Sequence, residues 1–155
     1  MRDVVRITKL FLLCLPILSV SMLMAQTNNQ FPTCTNKNLE GAFGFKINGT
    51  NPVYGPYSFV GRFVADGKGN VTGKGIQSVA GEISSPVFTA TYTVEADCTG
   101  EAVLEFSGGG TAPLQFVIEA DGTQVSIIAA GADGPGAVNE VGTATKQFIH
   151  PTLTE

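Results

Sequence analysis

Between residues 41 and 148, apolar and polar residues alternate in a series of short segments. The clearest is "FTATYTVE", residues 88–95, where aromatic or aliphatic residues take every second position and threonine or glutamate the rest. A period of two is typical of a β-strand with one buried and one solvent-facing side. The sequence predicts eight such strands, at 41–48, 56–65, 70–82, 86–96, 100–106, 113–120, 123–130 and 139–148.

The connections between these segments are of two kinds, which alternate along the chain. "ADGKGN", "EADCTG" and "EADG" are tight turns built around Asp, and Asp-Gly is a strong hairpin signal because Gly takes positive φ easily. The other connections are "NGTNPVYG", "EISSP", "SGGGTAP" and "GADGPGAVN", each of which contains proline, and all but "EISSP" are longer than the tight turns. Because antiparallel strands reverse the chain, we expect the tight turns at one end of the fold, the closed end, and the proline loops at the other, the mouth.

The Asp-containing turns have two functional interpretations, and neither is favoured. A calcium loop needs several closely spaced oxygen ligands, whereas "ADGKGN" offers Asp66 and Asn70 with Lys68 between them. A glycine-rich phosphate loop opens a helix, whereas "VTGKGIQ" continues as a strand. The repeated turn is therefore predicted to be architecture, with no metal site and no cofactor. One short helical turn is predicted in "TNKNLE", residues 35–40.

The first 25 residues have the layout of a secretory signal peptide. A basic start precedes the apolar run "LFLLCLPILSVSMLM", and Ala25 follows at a plausible cleavage point. A membrane anchor is less favoured, because the run is shorter than the roughly 20 residues of a spanning helix and contains Pro16. We expect a signal peptide at 1–25, a lead-in at 26–40 that closes the barrel bottom, a barrel at 41–150 and a tail at 151–155. The protein is expected to be secreted or periplasmic.

Cleavage there would change the charge and the cysteine count. The formal net charge of −4 becomes about −6, because three basic residues and one acidic residue are removed. No basic patch remains, so nucleic acid and membrane surfaces are poor candidate partners. Cys34 and Cys98 remain, and both fall at the closed end, so we predict a disulfide between them. Two free thiols are the alternative, and the single His150 is too distant to suggest a zinc site.

Four stretches carry a resemblance to known proteins: "LEGAFGFKING", "GRFVADGKGNVTG", "ATYTVEADCTGEAVLEF" and "GTATKQF". They resemble small secreted bacterial barrels of the calycin group, which includes lipocalin-like and allene-oxide-cyclase-like barrels. The resemblance implies an eight-stranded antiparallel up-and-down β-barrel, calycin-like in architecture. Its motifs are structural, so it implies no catalytic residue.

An eight-stranded barrel is wide enough either to fill itself with side chains or to hold one small ligand. The candidate ligand-binding residues point inward in the predicted strands: Tyr57, Phe59, Gln77, Phe88, Tyr92 and Phe116. If Lys146 faces water, then Thr143, Thr145 and Gln147 also face inward. The predicted inner face of the third strand includes Gly73, Gly75 and Gly81, which leave room either for a ligand or for neighbouring Phe rings. The acids placed near the mouth are Glu82, Asp133 and Glu140.

Three functions are compatible with these patterns. The favoured one is a secreted barrel, structural or binding a small apolar ligand that enters between the proline loops. The second is a cyclase or isomerase acting on an apolar substrate, although no catalytic set of residues can be assembled. The third is an outer-membrane barrel whose aromatic face contacts lipid, which the Gly-rich third strand makes less favourable.

Overall fold

A computed structural model of the chain describes residues 33–51, 54–129 and 139–148. The described residues contain two short 3₁₀ turns, Asn36–Leu39 and Ala120–Gly122. The strands are β1 (Gly41–Asn51), β2 (Gly55–Ala65), β3 (Asn70–Val79), β4 (Glu82–Ser84), β5 (Val87–Val94), β6 (Thr99–Phe106), β7 (Thr111–Glu119), β8 (Gln124–Ala129) and β9 (Asn139–Lys146). The segments 1–25 and 151–155 lie outside the described residues, so the assignments made for them stay predictions.

Eight of these strands form a closed antiparallel barrel in chain order. The sheet runs β2-β1-β9-β8-β7-β6-β5-β3, and β2 also pairs with β3, which closes the ring. Closure leaves no long unpaired edge between these strands. The predicted all-β, eight-stranded, up-and-down barrel is therefore confirmed.

The third strand is shorter than predicted, because a turn follows it at Ala80 and Gly81. Both residues have positive φ, 48° and 94°, which reverses the chain tightly. The short strand β4 then folds back on the mouth end of β3. The expectation that Gly81 lies on the inner face of a strand was wrong, since it lies in this turn.

The Asp-containing turns form the closed end as predicted. Oδ1 of Asp66 accepts hydrogen bonds from the backbone N–H of Lys68 at 2.7 Å and of Asn70 at 2.9 Å. Its Oδ2 accepts one from Nδ2 of Asn70 at 2.7 Å. These bonds lower the pKa of the Asp66 carboxyl to about 2, because they favour its charged form. Both carboxylate oxygens of Asp66 therefore accept hydrogen bonds from within the hairpin turn.

Residues 33–40, the described part of the lead-in, contact this end of the barrel. The 3₁₀ turn at Asn36–Leu39 confirms the short helical turn predicted in "TNKNLE". The Asn36 side chain accepts a hydrogen bond from Val94 N–H at 2.8 Å, and its backbone carbonyl accepts one from the Tyr92 hydroxyl at 3.0 Å. The predicted Cys34–Cys98 disulfide is present, with a Cα–Cα distance of 4.9 Å. It links the lead-in to the turn between β5 and β6.

Aromatic rings fill the middle of the barrel. Phe45, Phe59, Phe88 and Phe106 pack edge to face or tilted, with neighbouring ring centroids 4.8 to 6.3 Å apart. The space left by inner-face glycines is taken by these rings: a Cβ at Gly75 would lie 2.7 Å from the Phe59 ring. The glycines thus make room for Phe rings rather than for a ligand. The aromatic face is interior, so the lipid-facing arrangement assumed for an outer-membrane barrel was wrong.

The inward phase predicted for β9 was also wrong. Ala144 pairs with Phe45 and is completely buried, whereas Thr145 and Gln147 are exposed. Thr143 lies on the same side of the strand as Thr145. Lys146 shares the inward phase of Ala144, and as the last residue of β9 it lies at the closed end and is partly exposed. Its Nζ reaches 5.6 Å from the centroid of the Phe43 ring.

Within the described ranges, no helix has both the length and the apolar character required to cross a membrane.

Candidate functional site

The mouth of the barrel contains a cavity of about 970 Å³. Its floor and walls are largely apolar, and its rim is formed by the β4–β5 and β6–β7 loops. The apolar lining includes Ile47, Phe59, Val79, Leu104, Phe106 and Leu114. A void of this size, apolar with a few polar groups, is typical of small-molecule sites.

A second, much smaller void lies deeper in the barrel. It measures about 70 Å³, and apolar side chains such as Phe45, Phe88, Phe116 and Val125 surround it. The deep half of the interior is therefore a packed core, while the half nearer the mouth is hollow. The sequence left a filled and a hollow barrel as alternatives. The filled interior describes the deep half of the barrel, and the hollow interior describes the half nearer the mouth.

Three side chains form a polar chain along one wall of the mouth cavity. The Tyr57 hydroxyl donates to Oε1 of Gln77 at 3.4 Å, and Nε2 of Gln77 donates to Oγ of Ser84 at 3.0 Å. Strand pairing brings Gln77 opposite both Phe59 and Ser84. β4 thus supplies the last member of this chain by folding back on β3.

Glu140 is a buried acid in the same cavity. It is 9% exposed and lies on the inward phase of β9, four residues before Ala144. Its strand partner on β1 is Gly49, which in turn pairs with Tyr57 on β2. Burial raises the pKa of the Glu140 carboxyl, because its charged form loses hydration. The pKa of Tyr57 is raised mainly by burial and further by the negative charge of Glu140.

Sequence reasoning placed Glu140 near the mouth but gave it no role. The missed signal was Ala144, whose small apolar side chain fixes the phase of β9. Counting back by twos from Ala144 leads through Gly142 to Glu140. The strand-terminal Lys146 suggested the opposite phase.

The structure brings only part of the predicted site together. Tyr57, Phe59 and Gln77 line the mouth cavity, and Phe88 lies beneath it, with its ring centroid 6.0 Å from that of Phe59. Tyr92 and Phe116 lie in the packed half, and the Tyr92 hydroxyl is bonded to the lead-in. A role in ligand binding stays a prediction for all six of the candidate residues. Asp133 and His150 lie outside the described residues.

The described residues offer no cluster of three or more His, Cys, Asp or Glu that could hold a metal ion. What the cavity offers chemically is a large apolar surface, a hydrogen-bonded wall and one carboxyl group. This combination can hold a small molecule and orient one polar group on it.

Two designed barrels are similar to this fold. One is a redesigned β-barrel, mFAP1, bound to DFHBI: it is 17% identical, the match covers 72% of this chain and 97% of that chain, and the TM-score is 0.50. The other is a de novo designed fluorescence-activating β-barrel: it is 10% identical, with 72% and 96% covered and a TM-score of 0.50. At these identities the likeness shows the fold alone. No family model matches the chain, and no curated protein matches it.

Proposed function

We propose that the protein is an exported barrel that binds a small, largely apolar molecule in the mouth cavity. The observation that carries this proposal is the division of the interior. The deep half is packed with aromatic rings, while about 970 Å³ near the mouth is lined mainly by apolar side chains. An apolar ligand would gain binding energy by removing that surface from water.

The arrangement of the two ends supports entry from the mouth. Residues 33–40, the Cys34–Cys98 disulfide and three tight turns lie at one end. The cavity instead borders the loops that contain Pro86 and the glycines at 108–110. The designed barrel bound to DFHBI illustrates that a barrel of this fold can hold a ligand.

Export is part of the same proposal. The signal-peptide layout of residues 1–25 motivates it, and the disulfide is a bond that persists in oxidising compartments. We likewise propose the calycin-like kinship, the lead-in at 26–40, the barrel at 41–150 and the tail at 151–155. The cyclase or isomerase alternative stays a prediction, and it would use the same cavity.

Binding of a neutral apolar dye such as Nile red tests the proposal. Dye fluorescence should rise on binding, and amide NMR shifts should move at Tyr57, Phe59 and Gln77 rather than at the closed end. Ala112→Phe should abolish binding, because Ala112 lines the cavity and a ring there would fill it. Val103→Phe is the matched control, since Val103 faces outward on the adjacent strand. Equal dye binding by the two variants would overturn the proposal.

A further inference from the structure

The mouth cavity has one charged side chain among its described lining residues. That side chain is Glu140, and the described lining includes no Lys, Arg or His. The other polar side chains in the described lining are neutral amides, hydroxyls and phenols. The carboxyl group therefore faces a space in which the described lining supplies no positive charge.

The position of Glu140 in the barrel makes this charge part of the cavity wall. It is 9% exposed, whereas Glu82 on the rim strand β4 is exposed and is not among the residues that line the cavity. Gly49 separates Glu140 from Tyr57 in the strand pairing and has no side chain to fill the space between them. A ligand group that enters there meets a carboxylate and an aromatic ring together.

Burying a carboxylate in such a place is unfavourable unless an opposite charge or hydrogen-bond donors offset the lost hydration. A cationic group on the ligand supplies both, since an ammonium donates charge-assisted hydrogen bonds to a carboxylate. It can also lie against the face of the Tyr57 ring. The negative net charge of the chain, −4, favours the approach of cations over that of anions.

We propose that the ligand is an apolar amine, protonated at neutral pH, whose ammonium binds Glu140 while its hydrocarbon part lies against Phe59, Ile47 and Leu104. This inference rests on the proposed function, because it names the class of molecule that the same cavity takes. The same inference gives a role to the polar chain along the cavity wall, whose Tyr57 and Gln77 side chains orient the amine.

Three ligands of equal chain length test the inference: octylamine, octanol and octanoate, titrated into the folded protein by calorimetry at neutral pH. Octylamine should bind at least about tenfold more tightly than octanol, as expected for a charge-assisted hydrogen bond. Octanoate should bind most weakly. Glu140→Gln should remove the preference for octylamine over octanol. Glu82→Gln, which makes the same change of charge at the exposed rim, should leave the preference intact.

The outcomes separate the two proposals. If octanol and octylamine bind equally, or if Glu140→Gln leaves the preference for octylamine unchanged, the amine inference is wrong and the apolar binding site stands. If none of the three ligands and no neutral dye binds, both proposals are wrong. If the Glu82→Gln variant loses the preference as fully as Glu140→Gln, general surface charge explains it and the inference is also overturned. A thermal unfolding curve for each variant verifies that it is folded.

Discussion

Tyr57 and Glu140 flank Gly49 in one row of paired residues across three strands. Tyr57 pairs with Gly49 on β1, and Gly49 pairs with Glu140 on β9, so both side chains point into the mouth cavity. Burial raises the pKa of Tyr57, and the negative charge of Glu140 raises it further. The row joins the predicted aromatic site to an acid for which the sequence had suggested no role.

Glu140→Gln is expected to stabilise the protein at neutral pH and to change little at acidic pH. Because burial raises the pKa of this carboxyl above 4.5, the folded chain keeps the proton to higher pH than the unfolded chain. Well below pH 4.5 both states are protonated and the group has no effect. The destabilisation develops as pH rises from 4.5 towards the raised pKa, because the unfolded chain ionises first, and it is complete above the raised pKa. Thermal unfolding at both pH values, with Glu82→Gln as control, measures this. A larger gain at acidic than at neutral pH would contradict it.

Asp66→Asn is expected to destabilise the protein at neutral pH, because the carboxylate accepts three hydrogen bonds within its own turn. The pKa of Asp66 is lowered from 3.8 to about 2, so its contribution is complete above 3.8 and is lost as pH falls through about 2. The difference between wild type and variant should shrink over that range in urea unfolding. Asp121→Asn is the control, because Asp121 is exposed and Asn also tolerates its positive φ of 56°. An equal loss in both variants would argue against a special role for Asp66.

The sequence predicted the barrel because alternation and turn chemistry are local signals that here agree with each other. The order of tight and proline-containing connections was enough to place Cys34 and Cys98 at one end, where the disulfide lies. The height of each inward side chain was not predictable in the same way. Alternation says which face Tyr92 occupies, but its contact with Asn36 depends on where the lead-in folds.

The prediction of which β9 side chains point inward was wrong for a different physical reason. A lysine is normally assigned to the wet face, yet at a strand end its long side chain can start inward and still reach the edge of the barrel. Assigning Lys146 to the wet face also placed Glu140 on the outer face of β9, and therefore outside the predicted cavity. Side chains buried in the middle of a strand, such as Ala144, are better guides to phase than charged residues at its end.

Gly75→Ala is expected to destabilise the fold by about 1–3 kcal/mol, because the added methyl group overpacks the barrel wall. Its Cβ would lie 2.7 Å from the Phe59 ring and still closer to the carbonyl oxygen of Val60. Gly108→Ala is the matched control, since its Cβ would meet nothing within 4 Å, and it should change stability by less than about 0.5 kcal/mol. Urea unfolding of both variants decides the matter. Equal stability of the two variants would mean that Gly75 borders open space.

The final prediction concerns the turn that carries the disulfide. Cys98 takes the place that Gly67 and Gly122 hold in the other two Asp-containing turns, and its φ of 71° is one that glycine adopts most easily. Breaking the bridge with Cys34→Ser should cost about 2–5 kcal/mol. Adding Cys98→Gly to that variant should restore about 1 kcal/mol, because the strained residue is replaced by one that tolerates the conformation.

The matched control for the Cys34→Ser, Cys98→Gly variant is Cys34→Ser with Cys98→Ser. Serine also removes the thiol of Cys98 but keeps a side chain at the left-handed position. Urea unfolding should rank the glycine double variant above the serine one. If serine proves as stable as glycine, the positive φ of Cys98 carries no measurable strain. The bridge would then hold a turn that any residue could form.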